Sequence, residues 1–221
     1  MVKKIKLILI YILFAKISFS QNTFNKFYDK IIDSTHDLII EPDGYILPMH
    51  TLFLNLNAKQ LAVTKISLLG DTIWQRIYGN DSIDYYITYS ALKTLDGNYA
   101  FGSYYSDKNT ASYFSILKTD TLGDSIWFKK YAPDTNYFYG GTCISQCSDS
   151  GYLITGQKVD KAITDGNACI MKLDKDGNYL WDKEYIAPNY DAATSSIELP
   201  DKGFFSSAGQ GAMGRGNAMF T

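Results

Sequence analysis

The 221-residue sequence predicts an all-β fold: a β-propeller of four-stranded antiparallel blades, with about four blades present in an incomplete ring. Three observations carry that expectation. One phrase recurs as Gly70-Asp71-Thr72-Ile73-Trp74, Gly123-Asp124-Ser125-Ile126-Trp127 and Gly177-Asn178-Tyr179-Leu180-Trp181, with tryptophans 53 and 54 residues apart. Each interval holds four runs rich in Tyr, Phe, Ile and Thr, bounded by Gly, Asp and Asn, and no stretch keeps a helical period. Four strands in roughly 50 residues match a propeller blade, whereas solenoid coils are shorter and sandwiches do not repeat a Trp at fixed spacing.

The blades are expected at about 36–78, 85–131 and 140–185, with an incomplete fourth at 192–221. In the second, strands are expected over 87–94, 99–103, 113–119 and 125–131. Leu95-Asp96-Gly97-Asn98 and Asp120-Thr121-Leu122-Gly123-Asp124 separate them as hairpin turns, because glycine tolerates positive φ and Asp or Asn bonds back to its own backbone. Gly44, Gly97, Gly151 and Gly203 mark the first turn of each blade, and Gly102, Gly156 and Gly209 are expected to close the next strand. The third strand supplies Thr64-Lys65-Ile66, Ile116-Leu117-Lys118 and Ile170-Met171-Lys172-Leu173. In the last, Trp74, Arg76 and Tyr78 share one face, as do Trp127, Lys129 and Tyr131, and Trp181, Lys183 and Tyr185. One such set per blade suits aromatics wedged between blades, the basic stem lying over them. Phe24-Asn25-Lys26-Phe27-Tyr28 repeats the pattern inside the N-terminal segment 21–35 and is expected to close the ring as a last strand. Residues 217–221 align with the opening of a third strand, so an interrupted piece of a larger propeller is expected ahead of a closed four-bladed ring.

A Lys-containing strand, a Gly-x-x-x-Trp hairpin, a Tyr four residues on, and turns such as Asp96-Gly97-Asn98-Tyr99 followed by Gly102 resemble the propeller repeats of exported bacterial cargo of type IX secretion. The pattern is similar, more loosely, to the quinoprotein-type repeat. The resemblance spans residues 36–221 and implies architecture; repeats of this kind serve many unrelated activities. Lys3, Lys4 and Lys6, the apolar stretch 7–15 and Ser18-Phe19-Ser20 before Gln21 read as a cleaved signal peptide over 1–20. The chain is therefore expected to be secreted, periplasmic or on the outer cell surface, with no membrane span after cleavage, since the apolar run is too short to cross a bilayer.

A formal net charge of −2 argues against nucleic acid as a partner. The 18 tyrosines need no site to explain them, because Tyr suits half-buried strands. Cys143, Cys147 and Cys169 lie in one blade and read as small buried thiols. Asp174-Lys175-Asp176-Gly177-Asn178 imitates a calcium loop, but Lys183 stands where the closing Glu belongs. No catalytic residue, cofactor or metal site is assigned. What varies between blades is the set of connections at 48–60, 104–111, 132–140, 158–167, 187–191 and 210–216, all expected on one face. From these comes a candidate ligand face: Tyr104, Tyr105, Asp107, Asn109, Asn136, Tyr137, Phe138, Tyr139, Asn189 and Tyr190. The expected function is a monomeric exported scaffold that binds a glycan or an extracellular protein without catalysis. The alternative is part of a glycoside-active or quinone-dependent propeller enzyme whose catalytic residues lie outside this chain.

Overall fold

Runs of Tyr, Ile, Phe and Thr broken by tight turns give a chain of antiparallel hairpins. The computed structural model describes residues 32–53, 58–79, 85–107, 111–162, 166–186, 191–210 and 215–220. The expected signal peptide, the closing strand at 24–28, Asn109, Asn189 and Tyr190 lie outside them. Among the described residues every regular element is a strand.

Blade one consists of β2 (Ile39–Glu41), β3 (Gly44–Phe53), β4 (Ala58–Ser67) and β5 (Thr72–Tyr78), with β1 (Ile32–Ser34) pairing to the far end of β3. Blade two is β6 (Tyr85–Lys93), β7 (Tyr99–Ser106), β8 (Ser112–Thr119) and β9 (Ser125–Tyr131). Blade three is β10 (Tyr137–Gln146), β11 (Tyr152–Asp160), β12 (Gly166–Leu173) and β13 (Tyr179–Tyr185). The last sheet has three strands, β14 (Asp191–Glu198), β15 (Phe204–Gln210) and β16 (Arg215–Phe220). Within blades all neighbours pair antiparallel; a single parallel bridge, Lys59 with Tyr85, ties β4 to β6. The architecture is that of propeller blades in a ring that is not closed among the described residues.

The larger apolar cores lie between the blades; a smaller cluster of Leu47, Met49, Ala62 and Ile66 lies within blade one. Ile39, Ile46, Leu61 and Val63 of blade one pack on Tyr86, Tyr99, Phe101, Tyr105 and Leu117 of blade two. Phe114, Ile116 and Tyr131 of blade two meet Tyr139, Ile144, Tyr152, Ile154 and Met171 of blade three. Blade three turns Cys147, Leu153 and Ile170, with Trp181 and Tyr185, toward Phe204 of the last sheet. Middle strands are thus covered on both faces, and β7 and β8 are buried at successive positions instead of alternating. Burial of apolar surface at about 25 cal/mol per Å² makes these seams the main source of cohesion. A smaller polar seam joins blade three to the last sheet: Thr155 and Ser196 hydroxyls lie 2.8 Å apart, and Ser196 and Ser206 hydroxyls 2.6 Å apart, all buried.

Three local expectations need correction. Positive φ in the first turn falls at Gly97, Ser150 and Lys202; Gly151 and Gly203 stand one place later, their carbonyls accepting from Cys147 and Leu199 as that of Asn98 does from Thr94. Gly102 and Gly156 do not end their strands. They sit where a neighbour approaches: a Cβ on Gly156 would come within 2.0 Å of the Gly140 carbonyl oxygen. Finally, β3 and β4 run through much of 48–60, which the variation between blades marks as a connection.

Candidate functional site

The face carrying the third turns holds the repeated Trp, basic, Tyr sets, and there the sets of blades one and two grip the next blade. The Tyr78 hydroxyl donates to the Gly123 carbonyl at 2.5 Å, and the Tyr131 hydroxyl to the Gly177 carbonyl at 2.9 Å. Arg76 lies 3.7 Å from Asp124, and the Lys129 ammonium donates to the Asp176 carbonyl and to Asn178 Oδ1. A Cβ on Gly123 would stand 2.9 Å from the Trp74 ring, and one on Gly177 3.0 Å from Trp127. Burial pushes both tyrosine hydroxyls well above their ordinary pKa, so they remain donors. In blades one and two the motif is a latch to the next blade, its aromatic and polar groups already engaged.

A second repeated device was not read from the sequence. The third-strand lysines pin the first turns: Lys65 to Asp43 at 2.7 Å, Lys118 to Asp96 at 2.6 Å, and Lys172 to Asp149 at 2.8 Å. Lys118 and Lys172 are almost wholly covered while their aspartates remain half exposed. Buried ammonium groups need such partners. The spacing of 22 to 23 residues between Asp and Lys was the signal that could have revealed the pairing.

The opposite face gathers the connections that vary. The Lys161 backbone amide donates to the Asn136 carbonyl, and the Lys161 ammonium to the Thr135 carbonyl at 2.7 Å, so the β9–β10 and β11–β12 connections meet there. Between blades two and three this face opens into a cleft of about 420 Å³. Tyr104, Ser106, Asp107 and Ser112 form the wall from blade two; Phe138, Tyr139, Gly140, Gln157 and Val159 form the wall from blade three. Tyr104 and Phe138 are half-buried, and the Lys161 ammonium lies 4.8 Å from the Phe138 ring centroid. Asp107 accepts from the Ala111 amide and the Tyr113 hydroxyl, each at 3.2 Å. Burial, then the Asp107 carboxylate, raises the Tyr113 pKa. Beside the cleft the Lys158 ammonium lies 4.1 Å from the Tyr137 ring and 3.0 Å from Glu184. Burial alone would lower the Lys158 pKa; the carboxylate overrides it and raises it.

The structure separates the candidate face residues into three groups. Tyr104, Asp107 and Phe138 line the cleft. Asn136 is exposed in the adjoining turn, its amide bonded to Asp134, and Tyr137 lies beneath Lys158. Tyr105 and Tyr139 are both buried core residues, and Tyr139 also lines the cleft. Tyr105 is 2 % exposed, packed among Tyr86, Tyr113 and Phe128 with the Lys130 ammonium 3.6 Å from its ring. Tyr139 is 0 % exposed and meets Phe114 edge-on at 5.5 Å, and burial drives its pKa up. Both fall in strands that extend beyond their expected ends into the supposed loops. Gln157, Ser106 and Ser112 enter the cleft for the same reason and carried no signal of their own.

The cysteines are free thiols, Cys147 and Cys169 buried and Cys143 half-buried. Burial raises Cys147 to about 11 and Cys169 further. Among the described residues no three His, Cys, Asp or Glu side chains converge as metal ligands, and no helix is long and apolar enough to cross a membrane.

No protein-family model matches the chain, and no curated protein does. Among solved structures it is similar to a protein of unknown function from Bacteroides caccae, at 11% identity and a TM-score of 0.45, covering 85% of this chain and 59% of that one. It is also similar to a structure described as the eukaryotic initiation factor, at 10% identity and a TM-score of 0.37, covering 84% of this chain and 55% of that one. The chain spans just over half the length of these two structures.

Proposed function

We propose that the chain is an exported β-propeller scaffold, of the type IX cargo kind, that binds a glycan in the cleft between blades two and three and catalyses nothing. The cleft carries the reading. Its volume of about 420 Å³ suits a small ligand, and two half-buried rings, Tyr104 and Phe138, stand among the polar groups of Ser106, Asp107, Ser112 and Gln157. Sugars present apolar faces to rings and hydroxyls to such polar groups, and rigid blades hold the connections that display them. Export is supported by the basic, apolar and small-residue order of residues 1–20.

A glycan array probed with the protein lacking residues 1–20 tests this reading. Binding to a defined oligosaccharide class is expected, weakened at least about tenfold by Phe138→Ala or Tyr104→Ala through lost ring contact. Absence of any glycan ligand, capture of an extracellular protein in its place, or hydrolysis of the bound sugar would overturn it.

A further inference from the structure

Among the described residues Arg76, Lys129, Lys158, Lys161 and Lys183 each lie over a single aromatic ring, whereas Lys130 lies over three. The Lys130 ammonium stands 3.6 Å from the ring centroid of Tyr105, 5.8 Å from that of Tyr113 and 5.9 Å from that of Phe128. Strand alternation gathers these groups. Tyr105 pairs with Tyr113 across β7 and β8, and Phe128 and Lys130 project from the face of β9 opposite to Trp127 and Lys129. Tyr86 closes the back, edge-on to Tyr105 at 4.8 Å and 5.9 Å from Phe128. Tyr105 is thus a buried floor and Tyr113 a half-buried wall, while Phe128, 37 % exposed, and Lys130 stand at the surface.

The cage does not repeat. One and three places after the Trp, where blade two has Phe128 and Lys130, blade one has Gln75 and Ile77 and blade three has Asp182 and Glu184. The pair Tyr105 and Tyr113 corresponds to Lys158 and Asn167 in blade three, both bound there by Glu184. Packing of one blade on the next therefore needs no aromatic cage at this position. Nor is its cation firmly held. The ammonium groups of Lys129, Lys158 and Lys161 also reach an oxygen, but the contacts of Lys130 among the described residues are rings. An exposed cation held by rings alone is favoured only about two- to fivefold. Two of the three rings also stand too far off for the ammonium to touch. A methyl carbon about 1.5 Å out from the nitrogen would come within van der Waals reach of them.

We propose that Tyr105, Tyr113 and Phe128 form a binding site for a trimethylammonium group, as carried by choline, and that Lys130 is a resident cation which the ligand displaces. A trimethylammonium ion keeps the charge that the ring faces attract, has no N–H to leave unpaired, and meets all three rings at once. The Tyr113 hydroxyl, donating to Asp107 at 3.2 Å, fixes one wall in place. The cage lies in the seam of blades one and two, near the variable connections but apart from the cleft of blades two and three, and does not depend on a glycan binding there.

Calorimetric titration of the 221-residue chain with choline chloride tests the site, with 3,3-dimethylbutan-1-ol as its uncharged isostere. Saturable binding is expected with Kd of about 1 mM or tighter, and at least about tenfold weaker for the isostere. Lys130→Ala removes the competing cation and tightens choline about two- to fivefold, whereas Phe128→Leu weakens it at least about threefold. Phe138→Ala, in the cleft, leaves it unchanged. Sedimentation with phosphatidylcholine vesicles, against phosphatidylglycerol vesicles, separates the sources. Phosphatidylcholine binding that Phe128→Leu weakens assigns a lipid head group, and choline binding without sedimentation assigns the free solute. No saturation by about 20 mM choline overturns the proposal. So does equal affinity for the isostere, binding seen only after Lys130→Ala, or a loss caused by Phe138→Ala and not by Phe128→Leu.

Discussion

Two glycines with the same backbone strain and different surroundings separate the latch from the turn that carries it. Gly97 and Gly123 both have φ of +83°. A Cβ on Gly97 meets nothing within 4 Å, whereas one on Gly123 meets the Trp74 ring at 2.9 Å and the Arg76 stem at 3.0 Å. Gly97→Ala therefore carries the cost of a left-handed alanine alone, about 1–2 kcal/mol. Gly123→Ala carries that cost and, in addition, the overpacking of a seam between blades, about 1–3 kcal/mol more. For a domain of this size about 1 kcal/mol corresponds to about 2–4 °C in Tm. Urea titration and thermal melting of the two variants side by side are expected to show the second substitution costing roughly twice the first. Equal losses would refute the claim that the glycine turn is gripped by the preceding blade.

Other consequences follow from the pins and the thiols. Partial burial opposes ionisation of Asp96, but hydrogen bonds from Lys118 and Thr94 outweigh it and lower its pKa from 3.8 to about 2. The folded-state value lies below the unfolded one, so this carboxylate contributes stability above pH 3.8 that is lost as pH falls toward about 2. Asp96→Asn is expected to lower stability at pH 7 and to flatten the acid limb of the urea midpoint against pH; an unchanged limb would exclude the pin. Native thiol labelling at pH 8 is expected to modify Cys143 first and leave Cys147 and Cys169 unreacted, since both are buried and burial holds Cys147 near about 11. Simultaneous labelling of all three, read by mass spectrometry, would contradict their placement in the seams.

The repeat itself was the legible part of the fold. Gly70, Gly123 and Gly177 occupy positive φ in the third turns, as Gly-x-x-x-Trp spacing requires, and β9 runs over the residues its Trp, basic, Tyr alternation predicts. The first turns were less readable because Ser150 and Lys202 adopt positive φ without the glycine that normally signals it. Exposure was the hardest quantity to read. Tyr104 and Tyr105 are neighbours of the same type, yet one lines a cleft and the other is core. A strand covered by a blade on each side loses the alternation that would tell them apart, and local composition cannot say which seam closes tightly. The buried ends of Lys118 and Lys172 escaped notice because a lysine in a strand is read as solvated until its aspartate, more than twenty residues earlier, is seen beside it.

The central claim is that ligand binding belongs to the variable face and not to the repeated motif. Hydrogen exchange of the protein with and without a glycan identified on the array tests it most directly. Slowed exchange is expected at residues 104–107, 111–112, 137–140 and 157–159, with the third turns at 120–124 and 174–178 unchanged. Protection centred on those turns, with the cleft between Tyr104 and Phe138 unaffected, would contradict the account.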